Sequence, residues 1–169
     1  MSAPAVGEEL PVRPVGRVEV AGGSVYLHPG QFAVARGPAS MGTILGSCVG
    51  VCLHDPVVGV GGLNHFLLPR APAGDTSPRY GDVAMRRLIA ELVRLGAEPA
   101  RLVATIVGGA CFLGAAGGRK ADLGSANVAV ARAALAEARI RVAAEHVEGP
   151  RGRRVSFDPH SGNVRIRTL

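Results

Sequence analysis

A cysteine thiol and a histidine imidazole occur together in one short stretch of this sequence. Residues 43–69, TILGSCVGVCLHDPVVGVGGLNHFLLP, contain two of the three cysteines and two of the five histidines of the chain. Cys48 and His65 form the pair of interest, because a thiol beside a basic imidazole is the smallest set of groups that supports nucleophilic catalysis. The thiolate is the reactive form, and an ion pair with histidine would lower the pKa of the thiol.

Two other roles for these residues remain open on residue types alone. Cys48 is also the kind of residue that packs as a small buried hydrophobe, with His65 as a hydrogen-bonded core histidine. A metal site is the third possibility, with Cys48, Cys52, His54 and His65 as ligands. The two cysteines are four residues apart on one strand, about 13 Å, which is too far for one tetrahedral ion. We therefore expect no metal here.

Alternating apolar residues predict the hairpin that would position the thiol and the imidazole. Every second residue from 49 to 53 is a large apolar one, and an Asp-Pro turn separates this run from a second apolar run. A turn centred on residues 56 and 57 places Leu53 opposite Val60, and Cys48 directly opposite His65. Facing residues of an antiparallel pair have Cβ atoms about 5 Å apart, so the two groups would interact.

The remaining segments predict an α+β fold. Apolar residues at helical spacing predict a first helix that begins at Asp82 and stops at Gly96, and a second helix over residues 125–139. Short strands are predicted before residue 36, over 102–107 and over 140–146, and a closing hairpin pairs 155–157 with 164–166. We expect mixed, largely antiparallel β-sheet layers covered by two main helices. Residues 1–16 are expected to be a flexible segment before a single domain at 17–169.

Composition and charge narrow the class of protein. The 169 residues are 47% hydrophobic but only 4% aromatic, which predicts a globular core of aliphatic residues. The net charge is +6, which favours an acidic partner. Arginines cluster at 151–154, but no aromatic residues are interleaved with them, so we expect no nucleic-acid binding. The glycine-rich run GGACFLGAAGGRK lacks the spacing of a phosphate-binding loop.

The cellular compartment follows from the cysteines and the apolar runs. Three cysteines without framework spacing argue against a disulfide scaffold and for a reducing compartment. The first residues lack the pattern of a signal peptide, and no apolar run reaches the roughly 18 residues of a membrane span. We expect a cytoplasmic protein without membrane insertion.

The motifs, taken together, resemble those of a known family. LGSCVGVCLHDP and GGLNHFLLP look like the signature of CheD, the chemoreceptor glutamine deamidases of bacterial chemotaxis. The resemblance extends from Val18 to Ile166 through further motifs in the family's order: RYGDVAM, IVGGA, LGSANV and GRRVSFDPHSGNVRI. It implies a CheD-like fold and a cysteine hydrolase that converts receptor glutamines to glutamates and releases ammonia.

The resemblance assigns roles to individual residues. Cys48 matches the nucleophile, His65 the base, and Thr43 is the candidate for the third catalytic residue. Backbone N–H groups near Gly46 and Ser47 are candidates for oxyanion stabilisation, and Asn64 is a candidate for substrate positioning. No cofactor is implied.

The resemblance also implies partners. The substrates would be methyl-accepting chemotaxis receptors, the phosphatase CheC would be a second partner, and we expect a monomer. Two departures from the family pattern lie at Ala126, where arginine is usual, and in EHVEGPRGRR, which replaces an acidic-x-Gly-Gly element. The alternative hypothesis is a non-catalytic chemotaxis adaptor that binds receptors or CheC through the same fold.

Overall fold

A computed structural model describes residues 13–111 and 120–169 of the chain, which form ten strands and two α-helices. The strands are β1 (Gly16–Arg17), β2 (Ser24–Tyr26), β3 (Gln31–Arg36), β4 (Ser40–Leu45), β5 (Val49–Asp55), β6 (Val60–Asn64), β7 (Val103–Gly108), β8 (Arg141–Val147), β9 (Arg153–Phe157) and β10 (Val164–Thr168). The helices are α1 (Gly81–Arg94) and α2 (Lys120–Glu137).

Three layers make up the described part of the chain. A six-stranded sheet in the order β1-β3-β6-β5-β7-β8 lies in the middle, and a four-stranded sheet in the order β10-β9-β4-β2 packs on one of its faces. Both helices pack on the other face, where Leu88 and Leu92 of α1 and Leu135 of α2 are fully buried. The expected α+β fold of mixed sheets covered by two helices is confirmed.

Strand β5 is apolar on both faces because it runs through the centre of these layers. Val49, Val51 and Leu53 contact the core beneath the helices. Cys52 points the other way, into the core between the two sheets. The alternation that predicted this strand therefore separates two cores rather than a core from solvent.

The predicted register of the β5–β6 hairpin is wrong by two residues. Leu53 pairs with Gly62 rather than with Val60, and Asp55 is the residue opposite Val60. The turn is four residues long because the Asp55 carboxylate accepts a hydrogen bond from the Val57 N–H at 2.9 Å and holds the chain in a wider bend. A shift of two residues leaves every side chain on its predicted face.

Helix ends and one strand differ from the sequence-based prediction. Helix α1 occupies nearly the predicted range, whereas α2 begins five residues before Ser125. The strand over 40–45 was not predicted, although its inward residues alternate with outward ones. The closing hairpin is confirmed, with Val164 opposite Phe157. Of the expected flexible segment at 1–16, residues 1–12 lie outside the described part of the chain.

Neither helix is long and apolar enough, over its described residues, to cross a lipid bilayer.

Candidate active site

His65 and Thr43 meet between the two sheets. His65 directly follows β6 in the middle sheet, Thr43 lies on the inward face of β4, and both side chains are buried. The Thr43 Oγ1 atom is 2.8 Å from the His65 Nδ1 atom and 2.8 Å from the backbone oxygen of Leu27. The structure thus brings together two of the predicted site residues that are 22 positions apart.

These two hydrogen bonds fix the tautomer of His65. A carbonyl oxygen only accepts, so the single hydroxyl proton of Thr43 is donated to Leu27. Thr43 Oγ1 must then accept from His65, which places the imidazole proton on Nδ1. The Nε2 atom is left unprotonated, and it is buried without a hydrogen-bond partner among the described residues. His65 therefore carries a free basic nitrogen.

Burial keeps this imidazole neutral. The pKa of His65 is lowered to about 4, chiefly by removal from water. A hydrogen bond with the backbone of Leu27 opposes this shift, and the nearby His28 adds to it. At neutral pH the side chain is a base without a charge. It is ready to accept a proton, not to donate one.

Cys48 lies immediately before β5, on the same side of the sheet as His65. Val49 and Phe66 form an antiparallel bridge, so Cys48 faces Leu67 rather than His65, and the predicted direct opposition is wrong. His65 is instead the diagonal neighbour of Cys48. Diagonal neighbours are about 7 Å apart, which remains within reach of long side chains.

The Cys48 thiol is protonated at rest. Burial raises the pKa of this partly buried thiol above its ordinary value, and its own backbone N–H opposes that shift. The sequence suggested a thiolate in an ion pair with histidine. In the structure both groups lose hydration, which disfavours the charged form of each, so a neutral thiol and a neutral imidazole are the resting state.

The loop at 46–48 turns its carbonyl groups toward neighbouring segments. The Gly46 oxygen accepts from the Ala110 N–H at 2.9 Å, and the Cys48 oxygen accepts from the Gly109 N–H at 2.8 Å. The Ser47 oxygen accepts from a side-chain amide of α2 at 3.0 Å. All three carbonyls of the loop are therefore held.

Two N–H groups of the same loop are available for a ligand. In a trans peptide the N–H points opposite to the preceding carbonyl, so the Ser47 and Cys48 N–H groups point away from the held carbonyls of Gly46 and Ser47. Within residues 13–111 and 120–169, neither N–H has an acceptor outside its own residue. A pair of backbone donors beside a nucleophile, here with the Cys48 N–H in contact with its own thiol alone, is the arrangement that stabilises an oxyanion.

The end of β7 packs against this loop. Gly108 has a φ of +110°, and a Cβ atom at this position would overlap the carbonyl oxygen of Cys48. The Arg153 guanidinium donates to the backbone oxygens of Gly108, at 3.3 Å, and Glu148, at 2.6 Å. One arginine of the basic cluster thus has a structural role, because it holds the strand end that packs against the nucleophile loop.

Three other candidate residues lie apart from this site. Asn64 is fully buried on the opposite face of β6 from His65, where its Oδ1 atom accepts a hydrogen bond from the Val51 N–H at 2.9 Å. Cys52 is buried between the sheets, and burial raises the pKa of its thiol. His54 donates from Nδ1 to the Pro159 oxygen at 2.9 Å. The described residues contain no cluster of three metal-ligating side chains.

Sequence reasoning missed Leu27 and Asn127. Leu27 takes part through its backbone oxygen, which no residue type signals. Asn127 donates its side-chain Nδ2 to the oxygens of Ser47, at 3.0 Å, and Leu67, at 2.9 Å. Its place in the motif LGSANV was the only signal available.

Comparison with known proteins places the chain in a family. Residues 67–168 match the family described as CheD chemotactic sensory transduction. A probable chemoreceptor glutamine deamidase CheD 1 of Anaeromyxobacter dehalogenans is 50% identical over 145 residues, which cover 86% of this chain and 84% of that protein. The protein of the same description from Burkholderia thailandensis is 41% identical over 150 residues, 86% of this chain and 63% of that protein. The chain belongs to the CheD family.

This chain spans less than two thirds of the Burkholderia relative. Among solved structures, the Bacillus licheniformis hypothetical protein YfiH is similar with a TM-score of 0.43 and 18% identity, over 70% of this chain and 49% of that one.

Proposed function

We propose that this protein deamidates glutamine side chains of chemotaxis receptors to glutamate and releases ammonia, with Cys48 as nucleophile and His65 as base. The observation that carries this proposal is the unprotonated, unpartnered Nε2 of a neutral His65 on the same face as the Cys48 thiol. The names of the relatives supply the substrate class, chemoreceptor glutamines. A net charge of +6 favours association with acidic protein surfaces.

The first step forms a thioester. His65 Nε2 takes the thiol proton as the Cys48 sulfur attacks the amide carbon, and the carbonyl electron pair moves to oxygen. The N–H groups of Ser47 and Cys48 stabilise that oxyanion. The oxyanion then collapses, the carbon–nitrogen bond breaks, and the imidazolium gives its proton to the departing nitrogen, so that ammonia leaves.

The second step restores the enzyme. A water molecule gives a proton to His65 Nε2 while its oxygen attacks the thioester carbon. The carbon–sulfur bond breaks, Cys48 regains a proton, and a glutamate carboxyl group remains on the receptor. Thr43 has a positioning role in both steps, because its hydroxyl holds the Nδ1 proton of His65 and keeps Nε2 basic.

Ammonia release from a purified cytoplasmic fragment of a methyl-accepting chemotaxis receptor tests the proposal. We expect wild-type protein and Cys52→Ala to release ammonia, and Cys48→Ala and His65→Ala to release none. Cys52→Ala is the matched control, because it also removes one thiol. Cys52 lies on β5, four residues after Cys48, and is buried in the core between the sheets. Release of ammonia by Cys48→Ala at the wild-type rate would contradict the mechanism.

Alkylation separates the enzyme from a non-catalytic adaptor. Iodoacetamide at neutral pH should modify Cys48 much faster than Cys52, since His65 can take the proton of the first thiol as its sulfur attacks and burial protects the second. Equal sluggishness of the two cysteines would favour the adaptor.

The family resemblance further leads us to propose a cytoplasmic monomer that binds a CheC-type phosphatase. Light scattering of the purified protein, with and without CheC, tests whether it is a monomer and whether it binds CheC. A mass twice that of the chain would contradict the monomer, and an unchanged mass with CheC present would contradict that partner.

A further inference from the structure

Asn127 is the most completely buried polar side chain in contact with the nucleophile loop. It lies on α2, far from Cys48 in sequence, and its relative exposure is 0%. Its amide nitrogen donates to the Ser47 oxygen at 3.0 Å and to the Leu67 oxygen at 2.9 Å. Ser47 precedes the nucleophile, and Leu67 faces Cys48 across the hairpin, so one amide joins the two chain segments that carry Cys48 and His65.

The amide of Asn127 is used only on its donor side. Both protons of Nδ2 are donated, whereas Oδ1 is buried and has no hydrogen-bond partner among the described residues. A flipped amide would place Oδ1 against two carbonyl oxygens, so the hydrogen-bond network fixes this orientation. Leaving a buried oxygen unpaired is destabilising. This cost offsets part of the stabilisation that the two donated hydrogen bonds provide.

The geometry of the peptide unit connects Asn127 to the reaction. The Ser47 carbonyl and the Cys48 N–H belong to one planar trans peptide and point in opposite directions. Holding the carbonyl with the Asn127 amide therefore aims the Cys48 N–H to the other side of the loop. That N–H is one of the two free donors beside the thiol.

We propose that Asn127 is a positioning residue, which aims the Cys48 N–H at the developing oxyanion by holding the Ser47 carbonyl. The inference rests on the proposed function, because it concerns the same covalent reaction. Asn127 touches neither the thiol nor the substrate in this account. It acts through the orientation of one peptide plane.

Two reactions of the same thiol separate this role from a merely structural one. Deamidation passes through an oxyanion, whereas alkylation by iodoacetamide is a displacement at carbon that develops none. In Asn127→Ala we expect kcat for ammonia release from the receptor fragment to fall on the order of 100-fold, the usual effect of losing one oxyanion donor. KM and the alkylation rate of Cys48 should remain close to those of wild type.

Leu135→Ala is the matched control, because it removes a fully buried side chain of the same helix away from the loop. It should lower the midpoint of urea unfolding and leave kcat nearly unchanged. If Asn127→Ala does not fold, as judged by circular dichroism, Asn127→Ser takes its place, since its hydroxyl restores one donor and should recover part of kcat.

Two results would overturn the inference. One is a kcat of Asn127→Ala no lower than that of Leu135→Ala, and the other is an alkylation rate that falls as much as kcat. If the wild-type protein itself releases no ammonia, the proposed function fails first, so the two failures are distinguishable.

Discussion

Replacing Thr43 by valine removes one hydroxyl and almost no volume. Two buried groups then lose their partner: the Nδ1–H group of His65 and the backbone oxygen of Leu27, whose Nδ1 and oxygen atoms are each 2.8 Å from Thr43 Oγ1 in the wild-type protein. A buried group left without its hydrogen bond costs about 1–3 kcal/mol, so we expect the free energy of unfolding to fall by about 2–6 kcal/mol for the two groups. Domains are usually stable by about 5–15 kcal/mol, so over most of this range the variant should still fold.

Activity should fall much further than stability. Without the Thr43 hydroxyl, the imidazole of His65 loses the acceptor that favours a proton on Nδ1, and the tautomer protonated on Nε2 becomes competitive. That tautomer carries its proton on Nε2, so the nitrogen without a hydrogen-bond partner is no longer basic. Loss of a general base typically costs 100-fold or more, so we expect kcat/KM of Thr43→Val to fall by at least roughly 100-fold.

Urea unfolding and ammonia release from the receptor fragment measure the two effects. Thr43→Ser is the control, because it keeps the hydroxyl and loses only a methyl group, at a cost of about 1 kcal/mol. It should retain most of the activity. A folded Thr43→Val that works at the wild-type rate would refute the role of this hydroxyl in setting the tautomer of His65.

Three further perturbations test other parts of the account. The pKa of His65 is lowered from 6.5 to about 4, so the unfolded state binds more protons between these values, and the free energy of unfolding should fall by about 3 kcal/mol from pH 6.5 to 4. Urea melts across this range should show a steeper slope in wild type than in His65→Gln, in which carboxylates with a lowered pKa, such as Asp55 and Glu145, still contribute; an equal slope in both would contradict it. Gly108→Ala should cost far more stability than Gly74→Ala, because both have positive φ but only Gly108 lies against a carbonyl oxygen; equal thermal unfolding midpoints would argue against the contact. Asp55→Ala should lower the free energy of unfolding, because the buried Asp55 carboxylate accepts from the Glu98 N–H and is 3.0 Å from the Arg101 guanidinium; an unchanged midpoint of urea unfolding would be inconsistent with these contacts.

The sequence predicted those helices and strands in which apolar residues recur regularly because one face is buried. Helix α1 has Met85, Leu88 and Leu92 on one buried face, and that spacing is visible in the sequence. Strand β4 was missed because an inward position of its short alternation is taken by a polar residue, Thr43. Thr43 is polar because of a tertiary contact with His65, which no local pattern reveals.

The sequence predicted which face of the hairpin carries the candidate site residues, but not which residues lie opposite one another. Cys48 and His65 lie on the same face of the sheet, as predicted, because a shift of two residues in the register leaves each side chain on its face. The error arose at Asp55, whose carboxylate is held by the Glu98 N–H and Arg101, more than 40 residues away in sequence. A turn fixed by such distant partners cannot be read from its own residues.

The protonation state of the site depends on burial, which residue spacing does not report. The sequence indicated a thiolate paired with a charged histidine. The structure has two neutral groups, with the pKa of Cys48 raised and that of His65 lowered by loss of solvent. In the proposed mechanism, proton transfer therefore accompanies the attack of sulfur on carbon.

Mass spectrometry of a receptor cytoplasmic fragment shows whether Cys48 is required to convert receptor glutamines to glutamate. The fragment is incubated with wild-type protein, Cys52→Ala or Cys48→Ala, digested, and its glutamine-containing peptides are compared. We expect the mass increase of glutamine-to-glutamate conversion at specific positions with wild type and Cys52→Ala, and unchanged peptides with Cys48→Ala. The same conversion with Cys48→Ala, or none with wild-type protein, would contradict catalysis by this cysteine.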